Sequence, residues 1–105
     1  MFPGRLSGQP EFLVTIFDEN TVHDSLKLAH KLRNAGFRVD LYPDSGKYGK
    51  QFKYADQRSI RYALLLSPHE IASGTVNVKD LITGQQKEYP ETDIVTRIRE
   101  LLIEN

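Results

Sequence analysis

Hydrophobic positions along the chain fall into short continuous runs separated by helical stripes. Phe12 to Phe17 is apolar at every position except Thr15, the pattern of a strand covered on both faces in a parallel sheet. Val22, Leu26, Ala29, Leu32 and Ala35 then recur at intervals of three and four, which predicts a helix with these residues on its buried stripe. Thr21 and Asp24 suit a variant capping box at its start, and Gly36 a left-handed stop at its end. Phe37 to Tyr42 alternates apolar and polar, predicting a strand nearer a sheet edge that ends at Pro43 and Asp44. A crossover of this length between two strands favours parallel pairing.

Lys47 to Ser59 reads as a second helix, although Gly49 weakens its first turn by up to about 1 kcal/mol relative to alanine. At about 100° per residue, Tyr48, Phe52 and Ala55 share one side, while Lys47, Lys50, Gln51, Tyr54 and Arg58 fall together on another. Tyr62 to Leu66 is a further apolar strand, followed by Pro68 and a short turn or single helical turn through Ala72. Thr75 to Leu81 alternates, with Val76, Val78 and Asp80 on one face and Thr75, Asn77 and Lys79 on the other. Thr83-Gly84 is a hairpin turn signal, returning Gln85 to Tyr89 antiparallel. Pro90 and Glu91 open a last helix striped by Ile94, Val95, Ile98, Leu101 and Leu102. The order βαβαβ, hairpin, helix predicts an α/β domain with helices on both faces of a mixed, mainly parallel sheet.

Length limits what such a fold can contain. With 105 residues, 39% of them hydrophobic, the chain builds one modest core, and Pro3, Gly4, Gly8 and Pro10 mark residues 1–11 as a linker or tail before a folded unit at 12–105. The absence of cysteine excludes disulfides, thiolate zinc sites, iron–sulfur clusters and a cysteine nucleophile. No apolar stretch approaches the roughly 20 residues of a membrane span, and MFPGRLSG lacks a signal-peptide pattern, so a cytoplasmic protein without a membrane partner is expected.

Charge is balanced in total, 14 basic against 14 acidic residues, but not in distribution. Lys47, Lys50, Lys53, Arg58 and Arg61 face a single acid, Asp56, between residues 47 and 61, a local +4, whereas residues 88–105 carry a local −3. Tyr54 lies on the same predicted stripe as Lys50 and Arg58, a mixture of cation and stacking surface that suits unpaired nucleotides; a solvated helix face is the plainer reading. Thr75, Asn77 and Lys79 would project as a row about 7 Å apart, able to meet base edges or phosphates, or to form an ordinary exposed strand face.

Catalytic readings find less support. The stretch SGKYGK is not a G-x-x-x-x-G-K-[ST] phosphate loop, and no phosphoacceptor aspartate ends the third strand to join Asp18 and Glu19 in a receiver-type pocket. His23, His30 and His69 have neither the spacing nor neighbouring carboxylates of a metal site, and Ser67, His69 and Glu70 are too close in sequence to face one another as a triad. Neither a metal, a cofactor nor a catalytic group is expected in this chain.

The block from Lys47 to Leu81 narrows these alternatives. Lys50-Gln51-Phe52-Lys53-Tyr54-Ala55-Asp56, the strand Tyr62 to Leu66, Glu70, Gly74-Thr75-Val76, Val78-Lys79-Asp80-Leu81 and Thr83-Gly84-Gln85 together resemble the C-terminal anticodon-binding domain of class II aminoacyl-tRNA synthetases, and within that superfamily the histidyl-tRNA synthetase branch most. Phe12 to Pro43 matches in pattern only. The resemblance implies a three-layer fold: a five-stranded mixed sheet of order 2-1-3-4-5, strand 4 antiparallel to the rest, with three helices. It also implies tRNA as partner through the anticodon stem-loop, and a separate synthetase catalytic domain whose motifs are absent here. By position it marks Lys53, Glu70 and Lys79 as anticodon contacts, and chemistry agrees, since lysine holds phosphates or base acceptors and a carboxylate accepts from a guanine edge. Lys47, Lys50, Tyr54 and Arg58 would then support the backbone or stack, and Thr75 and Asn77 join them from the strand-face argument. A free-standing paralogue acting as a protein-interaction or regulatory module is the alternative, and a small-ligand domain at the sheet's switch point a third.

Overall fold

The computed structural model describes residues 10–104, so the linker expected over residues 1–11 lies largely outside the described residues. Glu11 is already tied to the domain: its N–H donates to the Arg38 carbonyl (2.8 Å) and its carboxylate accepts from the Arg38 N–H (3.3 Å). The elements are β1 (Phe12–Val14), α1 (Val22–Asn34), β2 (Val39–Leu41), α2 (Tyr48–Gln57), β3 (Tyr62–Leu65), α3 (Pro68–Ser73), β4 (Thr75–Asp80), β5 (Gln86–Pro90) and α4 (Ile94–Glu104). Short 3-10 turns at Glu19–Thr21 and Glu91–Asp93 lead into α1 and α4.

The five strands form one sheet of order β2-β1-β3-β4-β5. β1 pairs parallel with β2 and β3, and β4 pairs antiparallel with β3 and β5, so β4 alone runs against the others. Three longer helices and the six-residue α3 complete the layers. One face buries Phe12, Val14, Tyr62, Leu64, Val76 and Val78 against Leu28, Ala29 and Leu32 of α1 and Ile94 and Ile98 of α4. The other face packs Leu13, Tyr42 and Ile60 against Ala55 of α2 in a smaller cluster.

Two details of α1 differ from the sequence expectation. Its buried stripe runs through Ser25, Leu28, Ala29 and Leu32, while Val22 and Leu26 are 38% and 45% exposed. Ser25 turns inward because its hydroxyl donates to the Thr15 carbonyl (3.0 Å), a buried acceptor beyond the end of β1. The capping box sits one turn earlier than expected, with the Asp18 carboxylate accepting from the Asn20 and Thr21 N–H groups and the Thr21 hydroxyl accepting from the Asp18 N–H. Gly36 does follow the helix at φ +99°, a conformation that suits glycine.

The hairpin joining β4 to β5 closes on Asp80. Its carboxylate accepts from the Ile82 and Thr83 N–H groups and pairs with the Arg61 guanidinium at 2.8 Å. The Arg61 hydrogen bonds, more than the turn amides, hold the Asp80 carboxyl down at about 2.

Candidate nucleic-acid interface

The position of α2 is set by a residue that helical spacing assigned to its basic stripe. Gln51 is fully buried, because its amide completes the hydrogen bonding of β1 where the strand ends. Nε2 donates to the carbonyls of Ile16 (2.8 Å) and Gly46 (3.0 Å), and Oε1 accepts from the Ile16 N–H (2.9 Å). A wheel cannot show this, since it sends every polar residue of an amphipathic helix towards water. With Gln51 and Ala55 directed inward, the remaining faces of α2 divide into a flank towards β4 and a flank towards β2.

On the β4 flank, aromatic rings and polar atoms meet. Tyr48 and Phe52 stack with centroids 5.8 Å apart, and Phe17, 41% exposed, packs its ring against Tyr48 at 6.0 Å. The Lys79 ammonium lies 4.9 Å from the Phe52 ring centre, so β4 and α2 face each other here. Lys53, exposed and one residue beyond Phe52, points away from the sheet, midway between the two flanks. Thr75 and Asn77 share the strand face of Lys79. The Thr75 hydroxyl donates to Glu88 Oε2 on β5 (2.8 Å), and Asn77, which pairs across the strands with Glu88, buries its Oδ1 without a hydrogen-bond partner.

Glu70 holds the upper end of this flank. One of its oxygens accepts from the Ser67 N–H (2.8 Å) and the Ser67 hydroxyl, capping α3, and the residue is buried. Gly74, at φ +71°, ends α3 so that β4 starts at the next residue. The Tyr48 hydroxyl is likewise buried without a partner, and burial, followed by the Glu70 carboxylate, pushes the phenol up to about 12. Tyr48 stands beside Thr15 at the end of β1, where a doubly wound sheet would take a small ligand.

On the β2 flank the polar groups satisfy one another. The Tyr54 hydroxyl donates to Asp40 Oδ2 (2.9 Å), its ring meets Tyr42 edge-on at 5.1 Å, and the Arg58 guanidinium lies 3.6 Å over that ring. Partial burial and the bond to Asp40 raise the Tyr54 phenol above its ordinary value.

Of the residues expected to bind, the structure gathers Glu70, Thr75, Asn77 and Lys79 on the β4 flank, while Lys53 stands exposed on the outward crest of α2 between the two flanks. Tyr54 and Arg58 lie on the β2 flank, and Lys47 and Lys50 are exposed at the start of α2. Sequence reasoning missed Phe17, Tyr48, Phe52 and Glu88 as site residues. The strand alternation carried a usable signal for Glu88, because the hairpin register places it opposite Asn77. It also missed that His69, Glu70 and Glu88 bring ligand-type atoms within 4.8 Å of one another, since Glu88 arrives from a different strand.

Comparison with known proteins adds to this geometry. The sequence profile of the family described as "Anticodon binding domain" matches residues 11–101. The chain belongs to this family. Histidine–tRNA ligase of Cytophaga hutchinsonii is 37% identical over 98 residues, covering 93% of this chain and 22% of that protein. The corresponding ligase of Porphyromonas gingivalis is 37% identical over 90 residues, covering 86% of this chain and 20% of that protein. A crystal structure of histidyl-tRNA synthetase from Nostoc sp. PCC 7120 superimposes with a TM-score of 0.85 at 29% identity, covering 90% of this chain and 23% of that one. This anticodon-binding domain thus spans about a fifth of the length of the curated relatives it matches. The residues carrying the sequence resemblance lie within the matched region.

Proposed function

We propose that this domain binds the anticodon stem-loop of histidine tRNA, as the recognition module of a cytoplasmic histidine–tRNA ligase. The β4 flank carries the reading: Lys79 meets a half-exposed aromatic edge and Lys53 stands exposed on the crest of α2 beside it, a combination suited to holding a phosphate backbone while unpaired bases stack. Activation of histidine and its transfer to tRNA would belong to a catalytic domain joined to this one, and the domain's own work is binding, which calls on no cofactor. Among the described residues no helix is long and apolar enough to cross a membrane.

Titration of the 105-residue chain with a fluorescent anticodon stem-loop tests the proposal. Binding should weaken steeply as salt rises, because neutralised phosphates release counterions. Lys53→Ala with Lys79→Ala should weaken it by about tenfold or more and reduce the salt slope by about 1.4, the share of two phosphates on a single strand. Unchanged binding by the double variant would reject this surface. The exposed Val22 and Leu26 on α1 favour a second reading, docking to a protein. A stable protein complex, with no RNA-dependent chemical-shift changes on α2 or β4, would support that reading instead.

A further inference from the structure

We propose that His69, Glu70 and Glu88 form a binding site for a divalent transition-metal ion of the zinc class, set where α3 meets β5. The site goes beyond the RNA-binding reading and does not depend on it.

The ligand set comes from two elements remote in sequence. His69 and Glu70 leave the first turn of α3, and Glu88 reaches them from β5, so that a ligand-type atom of each lies within 4.8 Å of the others. Local bonds fix both carboxylates. Glu70 Oε1 accepts from the Ser67 N–H and hydroxyl in the cap of α3, and Glu88 Oε2 accepts from the Thr75 hydroxyl. Each carboxylate is held through one oxygen and keeps the other for a further bond.

Charge makes an ion the fitting occupant. Asp80 and Glu91 each hold a cation, at 2.8 and 2.9 Å, whereas among the described residues Glu70 and Glu88 have no ion-pair partner. Lys79, the cation on this face of β4, lies against the Phe52 ring instead. Glu70 is also buried, and a buried carboxylate is ordinarily paired or coordinates a metal.

Asn77 supplies a separate observation. Its Oδ1 is buried without a hydrogen-bond partner, and the residue stands directly across the strands from Glu88. Three protein ligands leave a fourth position on a tetrahedral ion for water, whose hydrogens are the donor that Asn77 lacks.

The chemistry of the ligands selects the ion. Magnesium and calcium favour sites built of oxygen alone, while one imidazole beside two carboxylates suits zinc and its neighbours. Two atoms bound to one tetrahedral zinc ion stand about 3.4 Å apart, so the site closes by about 1 Å on loading. His69 and Glu88 are exposed and can make that adjustment by side-chain rotation, while Glu70 stays anchored in its cap.

Calorimetric titration of the 105-residue chain with zinc chloride tests the site, with magnesium chloride as the hard-ion control. Zinc should bind one equivalent with a Kd of about 10 μM, and magnesium should give no saturable heat below about 1 mM. NMR shifts on adding zinc should centre on His69, Glu70 and Glu88. His69→Ala and Glu88→Gln should each weaken zinc binding by about tenfold or more, while their metal-free melting stays within about 3 °C of wild type. Zinc chloride at about 100 μM should raise the wild-type melting midpoint by about 5 °C and leave that of His69→Ala unmoved. Shifts centred on His23 or His30, zinc binding unaltered in His69→Ala or in Glu88→Gln, or no saturable binding below about 1 mM would each overturn the site. Stem-loop affinity measured in EDTA decides the RNA-binding reading separately, so failure of one leaves the other standing.

Discussion

The two flanks of α2 are built from the same kinds of residue and reach opposite ends. Towards β2, Tyr54, Asp40, Tyr42 and Arg58 form a closed set in which the tyrosine hydroxyl has an acceptor and its ring a cation. Towards β4, Tyr48, Phe52, Asn77 and Lys79 also combine aromatic, amide and cation, but two polar atoms stay unpaired and Phe17 beside them is exposed. Tyrosine and a neighbouring cation therefore do not distinguish a binding surface from a scaffold. The distinction is whether the polar atoms find partners within the chain.

The change that should break the comparison most completely is Gln51→Leu, because Gln51 fixes the rotation that creates both flanks. It removes three hydrogen bonds and strands the Ile16 N–H and carbonyl in the interior, so urea unfolding should report a loss of about 3 kcal/mol. A loss below about 1 kcal/mol would mean that α2 is positioned mainly by apolar packing.

Next in size is the closed flank itself. Tyr54→Phe should lower stability by about 1 kcal/mol through loss of the bond to Asp40, while stem-loop affinity changes by less than about twofold. Calorimetry and fluorescence anisotropy on the same preparation check both halves. An RNA defect matching that of the Lys53 and Lys79 double variant would show that both flanks bind.

Ionisation of Tyr48 probes the open flank in alkaline solution. Its phenol is raised to about 12, so the folded state holds that proton more tightly than the unfolded chain does. The associated stability is present below about pH 10 and is lost as pH rises from there towards 12. Alkaline melting curves of Tyr48→Phe should decline less over this range than those of the wild type, and parallel curves would show that the phenol titrates normally.

The smallest effect belongs to the hairpin, away from both flanks. The Asp80 carboxyl is depressed to about 2, so its stabilising contribution is present above the ordinary carboxylate range and is lost as pH falls through it towards 2. Acid melting of Asp80→Asn should flatten over that interval without altering stem-loop affinity at neutral pH. Weaker RNA binding by this variant would connect the hairpin to the open flank.

Sequence patterns disclosed most of the scaffold and only part of the site. The runs at Phe12 and Tyr62 are legible because strands covered on both faces leave no position for polar residues, and the alternation from Thr75 shows which face of β4 is buried. Patterns failed where a polar side chain serves buried backbone. Ser25 and Gln51 both face inward to satisfy groups beyond the end of β1, so Val22 and Leu26 turn outward against their hydropathy. The resemblance marks Lys53, Glu70 and Lys79 as candidates, but the capping box that Glu70 closes with Ser67 at the start of α3 was overlooked although its S-x-x-E spacing encodes it. Glu88 was lost in an acidic segment, and the strand register opposite Asn77, with the bond from Thr75, brings it to the flank.

The bond between Gln51 and Ile16 also supplies an internal clock for the attachment of α2. An amide proton exchanges with solvent only when its hydrogen bond opens, and that of Ile16 is held by a helix side chain in place of a neighbouring strand. Its exchange rate therefore counts how often the helix lifts from the sheet, independently of global unfolding. A partner seated across α2 and β4 would slow that one proton while the amides of β2 kept their own pace.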